Sequence, residues 1–338
     1  MSKLGVAMLG LDHWYTAFSC LPQIVKSEHA KLVAISHDDK AKVEKAGQEY
    51  GGVDTTTDYR AALDRPDVDI VVALYSTEKN VAICKEAAAL GKHIISVKPM
   101  AMDLASADEL VAAVKAAGVH FFPLESQKRL SLELQRQKSW IDEGRFGTPL
   151  RYTHVLNGSL PQAWPGVTDS AGWWVDPSRV PGGGWLDHAI YAIDTARWFF
   201  NSEISSVSGV AGNKRYTDLP VEDYGLAVYE FANGAVASIE DTWTSDRGYG
   251  FSSNELIGTK GVLREDAFGG KLSVKGDFGY EGWVTLEALR QPYDFVQHMV
   301  DVVRGEAKLI ANEDDGRANL AACLAFYKAA KNQTVEKL

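Results

Sequence analysis

The first 122 residues alternate short apolar runs with segments of helical periodicity, and this alternation limits the folds that are open to the chain. The apolar runs predict strands at 5–10, 32–36, 69–74, 94–97 and 119–122. Helices are predicted between them at 14–27, with a break near Pro22, and at 41–50, 59–63, 80–90 and 106–117. Strands that alternate with helices form βαβ units around a parallel sheet. The sequence therefore predicts an α/β domain with a doubly wound parallel sheet over residues 1–122.

The run His93–Met100 places a lysine at one edge of that sheet. Its β-branched residues predict a buried strand, which ends where Lys98 meets Pro99, because a proline has no N–H for the strand ladder. Ligands of open parallel sheets bind outside the carboxyl ends of the strands. Lys98 is therefore a candidate contact for a cofactor and a substrate, and the alternative interpretation is a solvated lysine at a strand end.

The turn after the first strand carries part of a dinucleotide fingerprint. The full pattern has glycine at its first, third and sixth positions. Here only Gly10 is present, since the third position is Asp12 and the sixth is Tyr15. A carboxylate at that point would repel a pyrophosphate, so Asp12 is predicted to turn outward and cap the next helix. The order of elements still indicates a Rossmann domain, with Gly10, Asp12, His13 and Trp14 as candidate contacts to NAD(P).

The end of the second strand is where the ribose of a dinucleotide is read. Ser36 and His37 leave room for a 2′-phosphate and favour NADP slightly. An acid at this point favours NAD, and Asp38 or Asp39 could still reach a 2′-hydroxyl. The predicted cofactor is therefore NADP or NAD.

The second half of the chain predicts an α+β domain over residues 123–338. Strands are predicted at 151–157, 205–211, 224–231, 235–243, 251–258 and 261–265, and helices at 185–200, 293–304 and 314–331. The turn sequences between the later strands are those of hairpins, which indicates a large, mostly antiparallel open sheet. A broad exposed sheet needs covering, so we expect a homo-oligomer, a dimer or a tetramer, that forms through this sheet.

The helix at 185–200 follows three glycines and carries two polar side chains one turn apart, Asp187 and Tyr191. His188 lies on a different face of the helix, where packing is the alternative to a substrate contact. Trp174 precedes the glycines, and an indole either packs on the C–H face of a sugar or belongs to the core. Trp174, Asp187, His188 and Tyr191 are therefore candidate substrate contacts.

Composition excludes several classes of partner. The net charge of −10 gives no electrostatic reason to expect nucleic acid or an anionic membrane, so the expected partner is a small molecule. The 3 cysteines have no metal-ligand spacing and suit a reducing compartment. No leader and no apolar run of about 20 residues is apparent, which favours the cytoplasm. No metal is predicted, since no ligand spacing supports a site built from His13, His154, His188 and Asp187.

Five motifs in the chain resemble the glucose-fructose oxidoreductase and inositol dehydrogenase family, known as Gfo/Idh/MocA. They are Gly91–Pro99, Gly182–Asp187, Val221–Tyr224, Phe231–Gly234 and Gly258–Gly261. The resemblance covers nearly the whole chain. Val97 stands where the Glu-Lys-Pro motif of the family has its glutamate.

The resemblance implies roles for individual residues. Lys98 is implied as the lysine beside the nicotinamide and the substrate hydroxyl, and Asp187 as the acid of the catalytic helix. Tyr191 is implied as the proton donor or acceptor, with its pKa lowered by the charge of Lys98. Ser76 and Asn80 replace the usual proline and histidine after the fourth strand, and they are candidate cofactor contacts.

The function expected from these residues is hydride transfer between nicotinamide and a carbinol carbon. The substrate would be a sugar, a polyol or a related cyclic hydroxy compound. One alternative is a protein of the same fold that binds a ligand or regulates without turnover, which the degraded glycine pattern favours. Another is a metal-dependent sugar isomerase or lyase.

Overall fold

The computed structural model describes residues 2–289 and 293–338. Its N-terminal part has the strands β1 (Leu4–Leu9), β2 (Ala30–Ser36), β3 (Asp54–Thr56), β4 (Ile70–Ala73), β5 (His93–Ser96) and β6 (Phe121–Pro123). The helices between them are α1 (Trp14–Lys26), α2 (Lys40–Glu49), α3 (Tyr59–Leu63), α4 (Thr77–Ala89) and α5 (Leu104–Ala117). The strands pair in parallel in the order β3-β2-β1-β4-β5-β6. This arrangement confirms the predicted doubly wound sheet.

The order of the strands reverses between β1 and β4, and this reversal positions the site. The chain moves outward from β1 to β3 and then returns to the other side of β1. A crevice opens at such a switch point, outside the carboxyl ends of the two strands. Strand β4, which borders the crevice, is apolar and buried along its whole length, because helices cover both faces of the sheet. Strand β3 was not predicted, because this short edge strand, Asp54–Thr56, has no apolar run.

The predicted break in the first helix is wrong. Helix α1 runs without interruption from Trp14 to Lys26, with Pro22 inside it. Proline inside a helix costs about 3 kcal/mol. Four buried side chains on the inner face hold α1 against the sheet and offset that cost: Ala17, Cys20, Leu21 and Ile24.

The rest of the chain builds a second sheet. Its strands are β7 (Pro149–Asn157), β8 (Ile204–Gly212), β9 (Tyr224–Phe231), β10 (Val236–Thr242), β11 (Phe251–Gly258), β12 (Val262–Asp266), β13 (Lys271–Lys275), β14 (Val284–Glu287) and β15 (Glu336–Lys337). The described strands follow the order β14-β13-β12-β11-β7-β10-β9-β8-β15, antiparallel except where β10 meets β7. The predicted large, mostly antiparallel sheet is confirmed. Strands β13, β14 and β15 were not predicted, because they are short and half polar.

Four more helices join the two sheets: α6 (Leu132–Asp142), α7 (Gly184–Phe200), α8 (Phe295–Val303) and α9 (Glu313–Asn332). Helix α7 lies in the core between α9 and one face of the second sheet. Helix α8 packs instead against the first sheet, where Phe295 and Met299 join its core. The division of the chain into domains at residue 122 stays a prediction. No helix in the described part of the chain is long and apolar enough to span a membrane.

Candidate active site

Lys98 lies where the sequence places it, at the carboxyl end of β5 and just before Pro99. Its side chain is buried, and its ammonium lies 2.5 Å from Oδ1 of Asp187 in α7. The ammonium also donates to the main-chain carbonyl of Asp187. This ion pair joins the edge of the first sheet to the helix of the second.

Asp187 owes its position to the way α7 begins. The carboxylate of Glu222 accepts hydrogen bonds from the N–H groups of Gly183, at 2.9 Å, and Trp185, at 3.1 Å, and so satisfies free donors at the helix start. Glycine is required before Asp187, because a Cβ on Gly183 would lie 2.3 Å from the carbonyl oxygen of Glu222. The first turn of α7 therefore points Asp187 at Lys98.

The charge of Asp187 is stabilised inside the protein. The indole N–H of Trp243 donates to Oδ2 over 3.1 Å, and Nδ1 of His188 lies 3.4 Å from the same oxygen. Burial by itself raises the pKa of this carboxyl, but the His188 imidazole and the Lys98 ammonium outweigh burial and hold the pKa well below its ordinary value. Asp187 is therefore a carboxylate at any physiological pH. For Trp243, just after β10, the sequence leaves a subunit interface and a pocket equally open, and the structure places its indole against Asp187.

His188 and Tyr191 complete the group around Asp187. The two rings stack with centroids 6.2 Å apart. The His188 side chain is 42% exposed, whereas Tyr191 is buried. The Tyr191 hydroxyl lies 3.5 Å from Nε2 of Gln127. Burial lowers the pKa of His188 below 6.5, against the opposing charge of Asp187, so its imidazole is neutral at pH 7.

The prediction that Lys98 lowers the pKa of Tyr191 is wrong. Burial raises the pKa of Tyr191 well above its ordinary value, and the negative charge of Asp187 raises it further. The ammonium of Lys98 lies 5.6 Å from the centre of the Tyr191 ring, but its charge is paired with Asp187. Tyr191 is therefore a protonated phenol that can donate a hydrogen bond or a proton.

A cavity of about 300 Å³ lies beside α7, on the side of Thr195 and Phe199. Lys128 faces it, with its ammonium 5.3 Å from the centre of the Tyr191 ring. His154 also lines it, and its Nδ1 pairs with Oδ1 of Asn254 over 2.7 Å. Burial lowers the pKa of His154 to about 3, so this histidine is neutral and offers a hydrogen bond to a hydroxyl group. Sequence reasoning missed Lys128, although it follows the end of β6.

The glycine turn has the backbone that the fingerprint requires. Gly10 has φ of +93°, and a Cβ there would lie 2.3 Å from the backbone nitrogen of Tyr75. Asp12 does not cap α1 as predicted, since the N-cap of that helix is His13 and no side chain caps it. The carboxylate of Asp12 accepts instead a hydrogen bond of 3.0 Å from the N–H of Ser76. Ser76 is the N-cap residue of α4. Free N–H groups at a helix start attract an anion, and the Asp12 carboxylate binds at the start of α4 rather than at the start of α1.

Residues 158–183 connect β7 to α7 and cross the mouth of the crevice; we call them the strap. The carbonyl of Gln162 accepts from the Trp14 indole at 2.9 Å, and its N–H donates to the Tyr15 hydroxyl at 3.1 Å. The indole of Trp173 donates to the carbonyl of Asp12 at 3.0 Å. The strap is thus bound directly to the glycine turn.

Two predicted cofactor contacts, His37 and His13, meet rings of the strap at the two ends of the crevice. The ring of His37, at the end of β2, lies parallel to that of Trp164 with centroids 6.2 Å apart. At the other end, Trp174 is buried with the ring of His13 4.8 Å away and the ammonium of Lys98 5.5 Å away. Trp174 therefore has no exposed face on which a sugar could pack.

The crevice fits a dinucleotide only in part. Seven of the nine predicted cofactor contacts are buried: Gly10, His13, Ser36, His37, Ser76, Asn80 and Lys98. The amide of Asn80 is used inside the domain, by Ser96 and the carbonyl of Met100, both at 2.8 Å. The glycine turn and the Lys98 end suit NAD(P), but the strap covers the path between them.

Metal ligands are not grouped in the described structure. Within residues 2–289 and 293–338, no three His, Cys, Asp or Glu side chains are close enough together to hold a metal ion. His13, His154, His188 and Asp187 do not form such a group.

The sequence matches two family descriptions in succession. Residues 4–124 match "Oxidoreductase family, NAD-binding Rossmann fold", and residues 134–264 match "GFO/IDH/MocA C-terminal domain". The scyllo-inositol 2-dehydrogenase (NAD(+)) of Bacillus subtilis (strain 168) is 26% identical, over 97% of this chain and 93% of that protein. The myo-inositol 2-dehydrogenase of Thermotoga maritima is also 26% identical, over 92% of this chain and 90% of that protein.

Solved structures share the fold over the full length. The aldose-aldose oxidoreductase of Caulobacter crescentus, complexed with glycerol, superposes with a TM-score of 0.83 at 24% identity, over 100% of both chains. At this identity the likeness establishes the fold alone.

Proposed function

The chain belongs to the Gfo/Idh/MocA family of oxidoreductases, whose N-terminal domain is an NAD-binding Rossmann fold, and we propose that it is an NAD(P)-dependent dehydrogenase or reductase. It would act on a CH–OH group of a sugar, a polyol or a related cyclic hydroxy compound. The observation that carries this proposal is the buried ion pair of Lys98 and Asp187 at the carboxyl edge of the parallel sheet. Together with Tyr191 the pair forms a set for handling a proton, which a protein that only binds a ligand does not need.

The residues around the pair can manage the proton of the substrate hydroxyl. Tyr191, a protonated phenol, would donate a proton to the substrate oxygen in the direction of reduction and take it back in the direction of oxidation, since both directions share one transition state. His188, a neutral imidazole that stacks on Tyr191 and is 42% exposed, would accept this proton from Tyr191 during oxidation and pass it to solvent. The nicotinamide, when bound, supplies or takes the hydride.

Asp187 and Lys98 would act by placement rather than by exchanging protons. The pair keeps a fixed charge distribution at the reaction centre, and the Trp243 indole holds the carboxylate in place. Preorganised groups of this kind need no rearrangement when charge develops on the substrate oxygen. Lys98, Asp187 and Tyr191 are therefore the proposed catalytic residues.

The cavity beside α7 supports a hydroxyl-rich substrate. His154 offers an acceptor there and Lys128 offers a cationic donor, next to the carboxyl of Glu265. Acceptors and donors around one small cavity match the alternating roles of sugar hydroxyls. Relatives named as inositol dehydrogenases fit the same class of substrate. His188 lies between this cavity and the ion pair and would contact the same substrate.

The choice between NAD and NADP rests on the end of β2. Ser36 and His37 bring no acid to that point, which leaves room for a 2′-phosphate, whereas Asp38 is paired with Lys79 nearby. Comparing the affinities of NADH and NADPH tests this choice directly.

We also propose that the protein forms a homo-oligomer and works in the cytoplasm. Val210 and Val228 lie on the outer face of the second sheet and are 57% and 39% exposed, so a second copy of the chain could cover this face. The three cysteines are free and buried, as suits a reducing compartment.

A second candidate function, ligand binding without turnover, is favoured by the covered crevice. The two functions separate in a steady-state assay that follows nicotinamide absorbance with a panel of sugars and inositols. Turnover that disappears in Lys98→Met supports the enzyme. Ligand binding without turnover by any member of the panel supports the second function.

A further inference from the structure

We propose that the strap, residues 158–183, is an internal competitor of the dinucleotide, so that the cofactor binds only when the strap leaves the crevice. The inference rests on the proposed function, because it concerns access to the same cofactor site. It depends on three places in the crevice, each of which the chain itself fills.

The first place is the phosphate end. A pyrophosphate is expected at the glycine turn, where a helix start offers N–H groups. Asp12 puts a carboxylate at this turn, bound to the N–H of Ser76 at 3.0 Å. Arg179 of the strap reaches the same point, with bonds of 2.5 Å to the Ser76 hydroxyl and 3.0 Å to Glu78, and lies 3.5 Å from Asp12. One anion and one cation of the chain thus already lie beside the glycine turn, bound at the start of α4.

The second place is the adenosine end, beside the end of β2. The indole of Trp164 lies parallel to the His37 ring, at 10° between the planes, and meets Phe18 edge to face with centroids 5.4 Å apart. The ammonium of Lys42 lies 4.4 Å from the indole centre. An aromatic ring with a cation above it is the arrangement that an adenine could adopt in this position.

The third place is the nicotinamide end, beside Lys98. The buried Trp174 lies there, with its ring 4.8 Å from the ring of His13 in the glycine turn and 5.5 Å from the ammonium of Lys98. Trp174, held between His13 and Lys98, therefore occupies the room that a nicotinamide ring would need.

The bonds between strap and crevice suit reversible release. They are three hydrogen bonds, from the Trp14 indole to Gln162, from Gln162 to the Tyr15 hydroxyl and from the Trp173 indole to the carbonyl of Asp12. Arg179, which is about a third exposed, and the rings of Trp164 and Trp174 add further contacts. The two ends of the strap are fixed, by the hydrogen bond from Gly158 to the carbonyl of Thr242 and by the start of α7. A segment that is held at both ends can swing out without unfolding the sheets, and the apolar burial of Trp164 and Trp174 is the free energy that cofactor binding has to offset.

The test is a titration of the full-length protein with NADH and NADPH, followed by nicotinamide fluorescence. Two variants loosen the strap, Trp164→Ala at the adenosine end and Arg179→Ala at the phosphate end. Thr168→Ala is the matched control, since this exposed strap residue has no contact with the crevice. If the strap is open in about a tenth of the molecules, loosening it tightens cofactor binding by up to about tenfold. Thermal melting shows that each variant is folded.

Hydrogen exchange gives a second measure that does not depend on activity. The N–H of Gln162 is bonded to the Tyr15 hydroxyl while the strap is closed. Saturation with NADH is expected to speed exchange in peptides that cover residues 158–172.

The outcomes separate the two ideas. Tighter binding in both strap variants, unchanged binding in Thr168→Ala and faster exchange with NADH support the proposal. Weaker or unchanged binding in the variants, with strap exchange slowed by NADH, overturns it while the proposed function stands. No binding of either coenzyme at millimolar concentrations, by the wild type or by the loosened variants, overturns both.

Discussion

The ammonium of Lys98 and the carboxylate of Asp187 meet at 2.5 Å in a site where both side chains are at most a tenth exposed. Lys98 comes from the first sheet and Asp187 from the helix that packs on the second. The pair therefore fixes the relative position of the elements that would hold the cofactor and the substrate. Tyr191 keeps its proton because it is buried and lies near the negative charge of Asp187.

Replacing Lys98 with methionine is expected to abolish turnover and to leave cofactor affinity within about an order of magnitude. The change also leaves the charge of Asp187 buried without a partner, which costs about 3–5 kcal/mol of folding free energy. Denaturant unfolding of the variant measures that cost. The double variant Lys98→Met with Asp187→Asn removes the unpaired charge, so it should recover most of the stability and none of the activity. Recovery of activity in the double variant would refute the catalytic role of Lys98.

Replacing Tyr191 with phenylalanine is expected to lower kcat for reduction by about a hundredfold to ten-thousandfold, because the proton donor is lost. Tyr229→Phe is the matched control, since its hydroxyl donates to the carbonyl of Ala322 in the core and takes no part in the site. Equal kcat values for the two variants would exclude Tyr191 as the proton donor.

His188 sets the expected pH dependence of oxidation. Its pKa lies below 6.5, chiefly because of burial, and only the neutral imidazole can accept a proton. The rate of oxidation should therefore be flat at neutral and alkaline pH and fall only at pH values below 6.5, the ordinary pKa of the imidazole. His188→Asn should lower kcat and remove this acidic limb. A limb that persists in His188→Asn would mean that another group accepts the proton.

The sequence predicted the framework of the site because that framework depends on local patterns. Lys98 before Pro99 and Asp187 after the three glycines are fixed by a strand end and a helix start, which periodicity and glycine reveal. Trp243 and Lys128 also follow strand ends, but no local pattern brings them to α7. The part played by Asp12 depended on Ser76, which lies 64 residues further along the chain and meets the glycine turn only in the folded structure.

Burial raises the pKa of Glu125 to about 8, and this predicts a pH dependence of stability. The pKa of a free glutamate is lower, so the folded protein holds this proton more tightly than the unfolded chain does. Folding gains the full stabilisation from this proton at pH values below the pKa of Glu125 in the unfolded chain. As the pH rises from that value to about 8, the free energy of unfolding falls by about 1.4 kcal/mol for each pH unit. Thermal melting of Glu125→Gln should show a weaker decline than the wild type over this range. Parallel curves for the two proteins would contradict the shifted pKa.

The outer face of the second sheet is expected to hold the oligomer together. Charges introduced by Val210→Glu and Val228→Glu should convert it to a monomer, as measured by light scattering after size exclusion, because a buried unpaired charge is costly at an interface. Leu90→Glu is the control, since Leu90 is 47% exposed but follows α4, which packs on the first sheet. An oligomer that survives the two sheet substitutions would place the interface elsewhere.

The most direct test of the central claim is hydride transfer itself. Purified protein with NAD+ or NADP+ is mixed with myo-inositol, scyllo-inositol, levoglucosan and common aldoses, and the formation of reduced nicotinamide is followed by absorbance. The account predicts turnover with at least one of these compounds, and none in Lys98→Met. Tight binding of the coenzyme without hydride transfer from any of them, or equal turnover in Lys98→Met, would contradict it.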